Sequence, residues 1–140
     1  MPRTVTDAKE TDAADHPHPR GTLTLRIPAQ PRDTNSAGDI FGGWIMGLMD
    51  MAAGYAAFEL AQGRIVTAAV SDLSFLKPVK VGDMVACYTE LVRRGRTSLT
   101  LDVDVWVRRG MPPADFRVTQ ARFVMVAVDQ DGRPRPLPAT

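Results

Sequence analysis

From Trp44 to Ala61 the chain reads WIMGLMDMAAGYAAFELA, and its apolar residues fall on every side of a helical wheel instead of along one stripe. That pattern predicts a helix buried on every side. Its small residues, Gly47, Ala52, Ala53, Gly54, Ala56 and Ala57, lose some helix propensity at the glycines but let neighbouring backbone come close. A curved sheet wrapped tightly round the helix needs this. Asp50 is the only charged side chain from Phe41 to Phe58. The apolar run is shorter than the roughly 20 residues that span a bilayer, so it reads as a core helix and no membrane partner is expected. Gly63 stands where a C-cap glycine ends a helix.

The rest of the chain reads as strands. Thr22 to Ile27 alternates, placing Leu23, Leu25 and Ile27 on one face before Pro28 and Pro31 break the run. Residues 32–43, RDTNSAGDIFGG, form a long glycine-rich connection in which Asp33, Asn35 and Asp39 can fix turns. After the helix come strands over Ile65 to Phe75 and Met84 to Val92, with Gly95 in a short turn. In the next strand Leu99, Leu101, Val103, Val105 and Val107 alternate with mostly polar residues, which predicts one core face and one largely wet face. Trp106 interrupts the wet face and marks a contact there. A strand from about Phe116 to Val128 closes on a DQDG turn. One short strand, one long helix and an antiparallel run of strands make an α+β domain with the helix on one face of the sheet. Residues 1–20 are polar, with no signal-peptide core, and read as a flexible tail; residues 21–140 form the domain. A cytoplasmic location is expected.

Composition excludes much chemistry. A length of 140 residues suits one domain, and a net charge of +1 from 17 basic and 16 acidic residues gives no field to recruit nucleic acid. His16 and His18 both lie in the tail, so the domain has no histidine base for a serine or cysteine nucleophile. Cys87, the single cysteine, reads as a small core residue, and the spacings offer no metal cluster. No metal and no organic cofactor are expected.

Asp50 remains. A carboxylate is seldom buried without a partner, so it either meets a polar crevice or takes part in chemistry. Gly42 and Gly43 precede this helix, where unpaired amides and the positive end of the dipole suit a carbonyl oxygen that gains negative charge. Asp50 follows Gly43 by about 10 Å along a helix. A thioester reaching in from solvent can place its carbonyl at the amides while the carboxylate handles water. Asn35 can add a donor, or act only as a turn residue. Lys77, Lys80, Arg93, Arg94 and Arg96 flank strand ends and can meet phosphates, or simply face solvent. Phe41, Met46 and Met49 are candidates to line a pocket beside them.

NSAGDIFGGWIMGLMD, from Asn35 to Asp50, resembles the signature of hotdog-fold acyl-CoA thioesterases of the YciA-like branch. FLKPVKVGD (75–83), RGRTS (94–98), VDVWV (103–107) and VAVDQDGRPRPLP (126–138) fit that family in the same order. The resemblance implies a hotdog fold, a long buried helix wrapped by a curved antiparallel sheet, and a homo-oligomer of dimers, commonly a hexamer built as a trimer of dimers, with sites between subunits. It implies Asp50 as catalytic carboxylate, Gly42 and Gly43 as the turn whose amide polarises the thioester, Asn35 as a site residue, and Arg96, Thr97 and Ser98 near coenzyme A. Where close relatives usually carry an acidic residue after the valine of the first strand beyond the helix, this chain has Ser71. The expected reaction is hydrolysis of acyl-CoA to free acid and coenzyme A. A hotdog dehydratase would need a histidine in the fold, and a non-catalytic acyl-CoA-binding protein is the alternative from another class.

Overall fold

Residues 18–140 are described by the computed structural model. Of the expected tail, positions 1–17 lie outside the described residues, while Pro19 and Arg20 lead into the first strand with Arg20 Nε 3.8 Å from Asp104. The strands are β1 (Thr22–Pro28), β2 (Ile65–Phe75), β3 (Met84–Arg94), β4 (Ser98–Arg109) and β5 (Ala114–Ala127), and the helix is α1 (Gly42–Ala61). They form one five-stranded antiparallel sheet in the order β1-β3-β4-β5-β2. Tight turns join β3 to β4 and β4 to β5. The link from β1 to β2 must instead cross from one sheet edge to the other. A helix of 20 residues, about 30 Å long, carries the chain over a sheet about 19 Å wide.

The core lies between α1 and one face of the sheet. Leu99, Leu101, Val103, Val105 and Val107 are each at most 1% exposed, as their alternation requires. They meet Ile45, Leu48, Met49, Ala52, Ala53, Ala57 and Ala61, which recur at three- and four-residue spacing along one side of α1. The helix is therefore not buried on every side by its own chain. Met51, Tyr55 and Phe58 are 59%, 57% and 53% exposed on the rest of its surface, with Tyr55 toward β1, and the edge strand β2 is similarly bare at Val66 and Val70. A wheel apolar all round records every surface that needs cover, whether the cover comes from the same chain or another.

Three local readings also change. The left-handed residue at the end of α1 is Gln62, with φ 55° and ψ 46°, and Gly63 follows it, donating to Phe58 O at 3.3 Å. A side chain on Gly63 would collide with the Arg135 guanidinium, which reaches the Ala61 carbonyl from Nη2 at 3.1 Å. β1 has a register shift between Leu23 and Leu25, so a single apolar face is not kept: Leu25 packs on the core, whereas Leu23 and Ile27 stay exposed. On the outer face of β4, Asp104 and Trp106 are buried, with Asp104 3.7 Å from the buried Arg117 of β5. Strand alternation separates the two faces but does not report what covers the polar one.

Candidate active site

Asp50 projects from the bare side of α1 into the seam with β2. It is exposed, not buried as its neighbours in sequence suggested, and Thr67 of β2 donates its hydroxyl to Oδ1 at 2.6 Å. This bond holds one carboxylate oxygen and leaves Oδ2 without a hydrogen bond among the described residues. Thr67 escaped the sequence reading because nothing in a strand pattern indicates which of its residues meets a helix.

The start of α1 has no side-chain cap. The Gly42 and Gly43 amides lie at the first positions of the helix, before any intrahelical acceptor exists. A Cβ on Gly42 would stand 3.2 Å from the Phe75 ring, tighter than ordinary contact, whereas a Cβ on Gly43 would meet nothing within 4 Å. Asn35 acts as a turn residue, its Oδ1 accepting the amides of Ala37 at 2.9 Å and Asp39 at 3.1 Å. That leaves its side-chain NH2 group to donate. Asn35, Gly42, Phe75 and Lys77 line one open groove of about 340 Å³, floored by Ile40 and Ile45.

The remaining candidates divide. Phe41 and Met46 are 52% and 39% exposed but do not line this groove, and Met49 is fully buried between helix and sheet and lines no open surface of the single chain. Lys80 is ion-paired with Asp39. Arg94, Arg96, Thr97 and Ser98 form the β3–β4 turn at the opposite end of the sheet, where Ser98 faces Val126 and β2 begins; the groove lies where β2 ends, at Phe75 opposite Thr119. There Arg94 donates to the Pro138 carbonyl, and the Arg96 carbonyl accepts Leu137 N at 2.9 Å. One chain therefore does not bring these four residues to the groove.

Cys87 is fully buried, and burial pushes its thiol up to about 12, so no thiolate forms near neutrality. Among the described residues no three His, Cys, Asp or Glu side chains converge as a metal site, and no helix is long and apolar enough to cross a membrane. The arrangement joins a hydrogen-bonded carboxylate to a bare apolar helix face and free helix-start amides. A carboxylate and an amide acting on the same carbonyl must lie within about 7 Å of each other. Gly43 and Asp50 of one helix are about 10 Å apart along its axis.

A family model for the thioesterase superfamily matches residues 37–114. The acyl-CoA thioester hydrolase YciA of Salmonella typhimurium is 50% identical over 123 residues, covering 86% of this chain and 92% of that protein. HI0827, a hexameric broad-specificity acyl-coenzyme A thioesterase solved with one aspartate changed to alanine, superposes with a TM-score of 0.83 at 48% identity, covering 85% of this chain and 88% of that one. An acyl-CoA hydrolase of Staphylococcus aureus, 26% identical, has been solved with an aspartate changed to alanine (TM-score 0.75, 81% of this chain and 70% of that one). It has also been solved with an asparagine changed to alanine, in complex with coenzyme A (TM-score 0.77, 82% and 69%). Sequence and fold together establish that the chain belongs to the thioesterase superfamily, among the hotdog-fold acyl-CoA thioester hydrolases of the YciA type.

Proposed function

We propose that Asp50 carries the hydrolysis of an acyl-CoA thioester, with the Gly42 and Gly43 amides and the Asn35 side-chain amide polarising the carbonyl. The observation that carries this reading is the position of Asp50. It stands at the seam of α1 with β2, where Thr67 fixes one oxygen while the other is left to react. The asparagine and aspartate altered in the Staphylococcus aureus hydrolase are separated by the same interval as Asn35 and Asp50, which supports the pairing.

The chemistry is that of acyl transfer to water. The free oxygen of Asp50 takes a proton from water as the water adds to the thioester carbon, or adds to that carbon itself to form an anhydride that water then opens. Either way the carbonyl oxygen gains charge, which the helix-start amides stabilise. The C–S bond then breaks, and coenzyme A leaves as a thiolate that takes up a proton. Neither route calls for a metal or an organic cofactor.

The 10 Å separation makes the site a shared one. A two-fold partner laying its bare α1 face against the first, with the helices antiparallel, brings the start of one helix beside Asp50 of the other. The same pairing covers Met51 and Phe58 and lets β2 edges meet. A trimer of such dimers accounts for a hexamer like that of HI0827. Arg96, Thr97, Ser98, Arg94 and Lys77 are then the residues proposed to meet coenzyme A, and Phe41 and Met46 the acyl chain. Ser71, exposed on β2, lies beside a register shift that puts Asp72 at φ 55°, so its hydroxyl replaces a charge close to the pairing edge.

Gly43 offers the test. Gly43→Ala keeps the amide and its Cβ meets no neighbour, whereas Gly43→Pro deletes the amide at a first-turn position that tolerates proline. With free-thiol release from an acyl-CoA panel as the assay, the alanine variant should stay near the parent, and the proline variant should lose about 100-fold in kcat with its assembly intact. Equal activity in the two variants would dismiss the amide.

A further inference from the structure

Behind the groove lies an ion pair that the reaction does not touch. Asp83, 2% exposed, accepts Arg109 Nε at 2.8 Å on Oδ1 and Arg109 Nη2 at 2.7 Å on Oδ2, a bidentate fork at the joined ends of β3 and β4. Its Oδ2 also accepts the Lys80 backbone amide at 2.8 Å, and Arg109 Nη2 reaches the Pro78 carbonyl at 3.2 Å. The guanidinium lies 4.8 Å from the centroid of Phe116, a ring that Lys77 Nζ also approaches, at 5.6 Å. Three of these contacts, at Lys77, Pro78 and Lys80, bear on one segment, whose residues 77–79 form a wall of the groove.

That wall is bonded in turn to the opposite one. Val79 O accepts the Ile40 amide at 3.0 Å, and the Lys80 ammonium pairs with the Asp39 carboxylate. The Asp39 amide is held by Asn35 Oδ1, and Asp39 O accepts the Asn35 amide at 2.7 Å. Phe41, the cap of α1, donates its amide to Asp33 O at 2.9 Å within the same loop. A continuous bonded path therefore leads from Arg109 through Asp83, Lys80 and Asp39 to Asn35, ending beside Gly42.

We infer that Asp83 and Arg109 are positioning residues for hydrolysis, a clamp that fixes the Lys77–Lys80 segment and through it the placement of Asn35. The inference rests on the proposed role of Asn35. A fork is suited to this task because both ends are fixed at once, so the loop cannot pivot about a single bond. Lysine at position 109 would keep the charge and lose both the fork and the geometry of the bond to Pro78. Misplacement of a catalytic loop by a fraction of an ångström to 1 Å is enough to cost on the order of 10- to 100-fold in turnover.

The experiment is a double-mutant cycle in the full chain, using Arg109→Lys and Asn35→Ala, with kcat, KM and assembly measured for each. Arg109→Lys should fold and assemble, lose about 10-fold in kcat and shift KM for acyl-CoA by less than about 3-fold. Added to Asn35→Ala, the same change should cost almost nothing more, because the path it acts through is already cut. Losses that multiply, or an Arg109→Lys enzyme with parental kcat, would overturn the clamp while leaving Asn35 in the site. An Asn35→Ala enzyme as active as the parent would remove Asn35 itself and the clamp with it. If Arg109→Lys does not fold, Lys80→Met breaks the same path at an exposed pair, 49% and 35% exposed. It should lose at least about 3-fold in kcat in the parent and nothing beside Asn35→Ala; any other pattern refutes the clamp.

Discussion

Replacing Met51 by glutamate puts a charge in the middle of the bare α1 face. Met51 is 59% exposed in the single chain. Full burial of a methionine side chain is worth about 1.5–3 kcal/mol, so covering the exposed part contributes about 1–1.5 kcal/mol. In a two-fold contact the residue appears twice, giving about 2–3 kcal/mol per dimer. The glutamate loses that and adds the desolvation of two like charges near the axis, several kcal/mol if they stay ionised. A lower bound of about 4 kcal/mol corresponds to roughly a thousandfold weaker dimer. Sedimentation velocity across a concentration series reads this directly. The Met51→Glu chain should sediment as a folded monomer at concentrations where the parent is fully assembled, and its turnover should fall with assembly, since Asp50 and the amides then belong to separate molecules. Parental sedimentation and activity in the variant would refute pairing through this face.

Cys87 supplies a pH test. Its thiol moves from 9.0 to about 12 on folding, so below pH 9 both states hold the proton, and above it the unfolded chain releases a proton that the folded chain keeps. Stability should therefore fall as pH rises from about 9 toward 12, by up to about 1.4 kcal/mol per unit. Urea unfolding of Cys87→Ala should lack this component, and a matching alkaline slope in parent and variant would reject it. For the carrier, Arg96→Ala should raise KM for acyl-CoA several-fold and leave kcat within about twofold, because a phosphate contact remote from the thioester contributes uniform binding. The same change should leave hydrolysis of a short thioester without the nucleotide unaltered; equal losses on both substrates would take Arg96 out of the carrier site.

Different parts of this molecule were legible for different reasons. The β4 face from Leu99 to Val107 and the span of β2 from Ile65 to Phe75 follow from local alternation and β-branched content, and both emerge as expected. The helix was legible from Trp44 to Ala61, two residues short of its start at Gly42, but its burial was not, because an apolar wheel does not say which chain covers each side. Asp50 stood out as a charge among apolar neighbours, yet that signal suggested burial where the single chain shows exposure and a bond to Thr67. The groove was legible only in part. Asn35 and Gly42 are close in sequence, while Lys77 and Phe75 join them through the register of β2 with β5. Asp83 and Arg109 carry no periodic signal, since they meet where β3 starts and β4 ends. The Arg94 to Ser98 turn was grouped with the site by resemblance, and the fold sets it at the far end of the sheet.

The central claim is that Asp50 performs the chemistry, and Asp50→Asn tests it most directly. Asparagine keeps the size of the side chain and an oxygen to accept the Thr67 hydroxyl, but loses the charge that activates water or attacks carbon. The measurement is single-turnover hydrolysis of acyl-CoA, followed by thiol release, with binding measured in the same preparation. The account predicts at least about a 100-fold loss in the rate of the chemical step, with acyl-CoA affinity within a few fold of the parent and assembly unchanged. Turnover near the parental rate in a verified Asp50→Asn preparation would contradict it.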